Sequence, residues 1–77
     1  MSYKVSTIRF SDGSKDYRYT AAHATTLEPV VFIIRKTESN EWACYEVTSD
    51  CPDGEWANTY STKKVSLEWA LRQLAGQ

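Results

Sequence analysis

The sequence predicts an α+β fold: an antiparallel sheet of four to five strands with one C-terminal helix packed on one face. Three observations predict it. Val30, Val31, Phe32, Ile33 and Ile34 form the only run of five consecutive apolar residues in the chain, and its length and β-branched content suit a central strand buried on both faces. Asp12-Gly13 lies between two β-prone runs, a strong hairpin signal because glycine tolerates the positive φ of tight turns. Apolar spacing of helical period appears only after residue 61, where Leu67, Ala70, Leu71 and Leu74 fall in one arc about 100° wide.

Residues 3–10 alternate loosely, with Tyr3, Val5 and Thr7 on one side and Ile8 and Phe10 on the other, as a strand with both faces partly covered does. Residues 15–20 form the return strand. Tyr17 and Tyr19 share one of its faces, while Lys15, Asp16, Arg18 and Thr20 are polar and place it at an edge, where charge discourages further pairing. Residues 21–29 hold small and threonyl side chains without a sustained period, which predicts a connecting loop. His23 lies in that loop with no serine, cysteine or acidic cluster beside it in sequence, so a surface or hydrogen-bonded histidine is favoured over a base or ligand. The central strand runs on to Lys36, and 37–41 is a polar connection of hairpin length.

Strand four covers 42–48, with Ala43, Tyr45 and Val47 on one face and Trp42, Cys44 and Glu46 on the other. Residues 49–55 carry turn chemistry, Pro52 fixing φ and Gly54 releasing it. Asp50, Asp53 and Glu55 do not match the spacing of a calcium loop and read as a solvated acidic turn. A short fifth strand over 55–60 carries Trp56 and Tyr60. Ser61 or Thr62 then caps a helix over 63–75, which Gly76 closes.

On the helical wheel, with Val65 at zero, Trp69 lies near about 40° and Arg72 near about 340°, while the leucines centre near about 190°. Trp69 is therefore expected to point away from the core. A tryptophan beside Val65 and Arg72 on a solvent face has the composition of an interface centre. The alternative is that the 21–28 loop folds over this face.

At 77 residues the chain is expected to be a single domain spanning 1–77, near the lower size limit for a core without staples. Nine Lys plus Arg against ten Asp plus Glu leave a net charge of −1, so no general field attracts nucleic acid or an anionic membrane. Cys44 and Cys51 are too few for a disulfide scaffold, and with His23 they give three soft ligands where structural zinc takes four. Free thiols, no metal and no cofactor are expected. The stretch Met1-Ser2-Tyr3-Lys4 lacks a signal-peptide core, and no apolar run is long enough to span a bilayer, so a complete, cytoplasmic protein is expected. Nucleophile sets, phosphate loops and metal-ligand spacings are missing, which argues against an enzyme.

Residues 42–74 resemble the N-terminal arm-binding domains of tyrosine-type integrases: two strands, the helix start Ser61-Thr62-Lys63-Lys64, and Trp69 in the helix. The resemblance implies a sheet laid on DNA. The chain departs from that family in its sheet, since 42–60 holds Glu46, Asp50, Asp53 and Glu55 and no Lys or Arg, whereas phosphate neutralisation needs cations. In size and layout the chain also resembles the small stand-alone proteins of phages and other mobile elements, anti-CRISPR proteins among them, which implies an inhibitor that covers a surface of a larger host complex.

The function expected from these residues is a non-enzymatic protein-binding module. Its contact residues are Val65, Trp69 and Arg72 with Tyr17 and Tyr19, and a two-fold homodimer through the Trp69 patch is a variant of the same idea. The alternative is a small nucleic-acid-binding protein in which Lys15, Arg18, Arg35, Lys36, Lys63 and Lys64 converge.

Overall fold

The computed structural model describes residues 3–77; Met1 and Ser2, part of the stretch read above as lacking a signal core, lie outside them. Among the described residues the elements are β1 (Tyr3–Arg9), β2 (Lys15–Ala22), β3 (Pro29–Lys36), β4 (Trp42–Val47), β5 (Glu55–Tyr60) and α1 (Lys63–Gln73). The strands form one antiparallel sheet in chain order, β1-β2-β3-β4-β5, with the helix packed against it. The fold is α+β, with the apolar run in the middle of the sheet.

Each turn follows from its residues. Gly13 takes φ 90° in the first hairpin, and the Asp12 carboxylate accepts hydrogen bonds from both the backbone N–H and the hydroxyl of Ser14. These bonds hold the Asp12 carboxyl below its ordinary range. Asn40 supplies the left-handed residue of the β3-β4 turn at φ 61°, a conformation that asparagine tolerates better than most residues. Gly54 has φ 98° and no room for a side chain, because a Cβ there would lie 3.0 Å from the Cβ of Tyr45.

Between β2 and β3 the chain makes a knot of local bonds. The His23 ring accepts at Nδ1 from the backbone N–H of Thr25 and Thr26, and the N–H of Leu27, at φ 63°, donates to the His23 carbonyl. This loop also grips the far end of the helix. The N–H of Ala24 donates to the Ala75 carbonyl at 2.8 Å, and the Gln77 side chain donates to the Ala22 carbonyl at 3.1 Å.

Two expectations are corrected. β2 is not an edge strand, since it pairs with β1 on one side and β3 on the other, and it extends to Ala22. Lys15 and Thr20 are exposed, but Asp16 is buried and answers Arg35 on the neighbouring strand. The helix, capped by Thr62 through a bond from the Val65 N–H, ends at Gln73, and of the expected stripe Ala70 and Leu71 are buried in the core while its centre is shifted toward Ser66. Ser66 and Ala70, with Ala75 just beyond the helix, are each 0% exposed, while Leu67 and Leu74 are half-buried flanks. Small residues let the helix backbone approach the sheet, so the larger side chains splay to both sides. Trp69 becomes one such flank, half-buried with its ring 6.3 Å from that of Tyr60, rather than pointing to solvent.

Beneath the helix lie Tyr19, Ala21, Phe32, Ile34 and Cys44, all buried. The helix rests mainly on β3, β4 and β5. All seven residues of β1 are exposed.

Candidate functional site

The face of the sheet opposite the helix is the feature most unlike a solvated surface. Strand register places three rows there: Lys4, Thr20, Val31 and Val47; Ser6, Arg18, Ile33, Tyr45 and Trp56; and Ile8, Asp16, Arg35, Ala43 and Thr59. Antiparallel sheets with one bare face ordinarily alternate apolar inward and polar outward. Here β3 is apolar on both faces, and no helix or loop covers the second. Ile33 is only 6% exposed even so, because Arg18 and Tyr45 flank it on the adjacent strands. Toward the edges of the sheet Trp56 is 60% exposed on β5 and Ile8 36% on β1.

A β-bulge places Trp56 on this face. Cys44 is opposite Asn58 but Tyr45 is opposite Trp56, so Ala57 is an extra residue on β5. One extra residue reverses the in-and-out parity of everything beyond it. Trp56 thereby joins Tyr45 instead of the helix side that Asn58 and Tyr60 occupy. Its indole N–H donates to Thr59 Oγ1 at 2.8 Å, which fixes the ring while leaving it in solvent.

Near one end of the face is a bidentate ion pair. Arg35 Nε and Nη2 donate to the two Asp16 oxygens at 2.6 and 2.7 Å. Asp16 is buried, 3% exposed, whereas the Arg35 side chain is 46% exposed and lies 5.1 Å from the Tyr45 ring centroid. The bonds to Asp16 raise the pKa of Arg35 above its ordinary value. The result is a flat guanidinium held over a tyrosine, bordered by isoleucine and tryptophan.

The residues singled out from sequence are divided by the structure. Val65 and Arg72 are exposed on the helix and Trp69 is half-buried against β5. Tyr19 offers no contact surface: it is 3% exposed and stacked on Phe32 with ring centroids 5.3 Å apart, and burial raises the pKa of its phenol. Tyr17 is half-buried beneath Lys63, whose Nζ is 3.5 Å from the ring centroid. The six basic residues do not converge as a set. Arg18 and Arg35 lie on the open face, Lys64 lies 4.0 Å from Glu68 along the helix, and Lys15, Lys36 and Lys63 gather on the helix side. Trp56, Tyr45 and Ile33 were not among the residues chosen from sequence; the signal that marks them is the unbroken apolar run of β3, which demands a cover on each face.

Both cysteines are free, Cys44 buried and Cys51 half-buried. Burial, with a smaller contribution from Glu46, pushes the Cys44 thiol up to about 12, so it carries no thiolate at neutral pH. Among the described residues no group of three or more His, Cys, Asp or Glu side chains is placed to hold a metal ion, and no helix is long and apolar enough to cross a membrane. Compared with known proteins, the chain matches no protein-family model, no curated protein and no solved structure.

Proposed function

We propose that the chain is a non-enzymatic protein-binding module that docks on its partner through the bare face of its sheet. The observation that carries this reading is β3, apolar on both faces in a chain that supplies a cover for one. The exposed Trp56 beside Tyr45 and Arg35 gives the composition that interface hot spots favour. The Asp16–Arg35 pair also fits a buried interface, since each charge arrives with its counter-charge and hydrogen bonds in place. A finer version, an inhibitor encoded by a mobile element that covers a cytoplasmic host complex, draws its support from the small size alone.

Trp56→Ala tests the docking face, because the ring is 60% exposed and its removal leaves the core intact. Partner capture, with sizing of each variant, should show affinity reduced by at least about tenfold for Trp56→Ala, or roughly 2 kcal/mol for an interface anchor, at unchanged thermal stability. Trp69→Ala should keep the partner and lose stability instead. Loss of the partner in Trp69→Ala alone would return the interface to the helix flank with Val65 and Arg72, and a concentration-dependent dimer abolished by Trp56→Ala would make the partner a second copy.

A further inference from the structure

On the helix side, at the end of the sheet where α1 begins, three cations stand in one cross-strand row. Arg9 is directly opposite Lys15, and Lys15 and Lys36 are the next positions beyond the Asp16–Arg35 pair. Like charges directly opposite one another on adjacent strands are destabilising. The chain has ten Asp and Glu, yet among the described residues no ion pair engages Arg9, Lys15, Lys36 or Lys63. Lys63 adds a fourth cation from the first turn of α1, a turn without acidic residues.

These ammonium groups surround aromatic rings. The rings of Tyr17 and Trp42 have centroids 6.2 Å apart. Lys63 Nζ is 3.5 Å from the first centroid and 6.0 Å from the second, and Lys36 Nζ is 5.9 Å from the second. Lys15, Tyr17, Lys36 and Trp42 line a depression of about 500 Å³, within the size range of small-molecule sites. Ser14, Thr37 and Asn40 add hydrogen-bonding groups to its wall, and Glu38 is the carboxylate on it.

We propose that this depression binds a phosphorylated nucleotide, the phosphate lying between Lys15 and Lys36, with Lys63 adding positive charge from beside it, and the base against Trp42. An anion removes the cost of the like-charged row, and a flat ring uses the half-buried indole, since the Tyr17 face is already taken by Lys63. Bases stack on aromatic side chains whatever their identity. Glu38 and Asn40 suit an exocyclic amine or a sugar hydroxyl, groups that inorganic phosphate lacks. A mononucleotide and one nucleotide of a single strand share this chemistry. The site is on the opposite side of the sheet from Trp56 and stands or falls independently of the docking face.

Nuclear magnetic resonance titration of the ¹⁵N-labelled chain at low salt tests it, with inorganic phosphate, uridine 5′-monophosphate and a short oligothymidylate as ligands. The expected result is a shift of the Trp42 indole and Tyr17 amide resonances with the two nucleotide ligands, weakened about tenfold by the Lys15→Ala/Lys36→Ala double variant. Both lysines are exposed, so the double variant should keep the wild-type fold, and Arg18→Ala on the opposite face should bind as wild type does. Tighter binding of the oligomer, with a slope of log affinity against log salt steeper than the about −0.7 of one neutralised phosphate, would identify a single strand as the ligand; equal binding would identify the free nucleotide. The proposal is overturned if neither nucleotide shifts Trp42, if Trp56 shifts instead, if phosphate alone binds as tightly, or if the double variant binds unchanged.

Discussion

The pair Asp16 and Arg35 shows how unequal the two ends of one ion pair are. Asp16 is 3% exposed while the Arg35 side chain is 46% exposed, so each partner's removal leaves a different remainder. Without Arg35 a carboxylate stays buried with no counter-charge, a loss that costs about 3 kcal/mol. Without Asp16 the guanidinium is already half in water, and the cost falls to about 1 kcal/mol or less. Arg35→Met, which keeps the aliphatic stem over Tyr45, should therefore lower the denaturation midpoint much more than Asp16→Ala. Equal losses in the two variants would mean that water reaches the carboxylate and that the open face is wetter around this pair than the geometry indicates.

Among the elements, α1 is the one whose local chemistry departs most from its expected pattern. Ser66 is fully buried against the sheet, and its hydroxyl has no hydrogen-bond partner among the described residues. Alanine is the better helix former and removes the unpaired group, so Ser66→Ala should stabilise the fold by about 1 kcal/mol. A lower melting temperature for this variant would show that the hydroxyl is satisfied. The same position explains what sequence could and could not reveal. Strand identities and turns were legible because glycine, asparagine and β-branched residues act locally. The helix wheel gave the correct half of α1, including buried Ala70 and Leu71, but missed Ser66, since hydrophobicity does not report that a small polar residue sits against the sheet. Trp56 was invisible for a different reason. Its face depends on the parity change that Ala57 introduces, and nothing in the composition of residues 55–60 marks a bulge. Polarity misplaced β2, because the charge of Asp16 is answered across the sheet by Arg35 rather than by solvent.

Over the whole molecule, cover is distributed unevenly across one sheet, and local stability should follow it. β3 and β4 have a strand on each side and the helix above, with Phe32, Ile34 and Cys44 each 0% exposed. β5 is an edge, but the helix rests on it. β1 is an edge with every residue exposed, held by its ladder to β2 and by the contact of Tyr3 with Tyr19, whose ring centroids are 5.5 Å apart. Opening free energies within a domain range from near zero to the global value, and the low end belongs to segments with little buried apolar contact. Native-state hydrogen exchange should therefore find the slowest amides at Phe32, Ile34 and Cys44. The β1 amides bonded to β2 should exchange faster than those of β3, through an opening that detaches β1 alone and responds weakly to denaturant because little surface is exposed. If β1 instead exchanged at the global rate with a full denaturant response, its edge would be coupled to the core more tightly than one bare strand allows. A second copy paired along that edge is the arrangement that would then account for it, and dilution should restore the faster exchange.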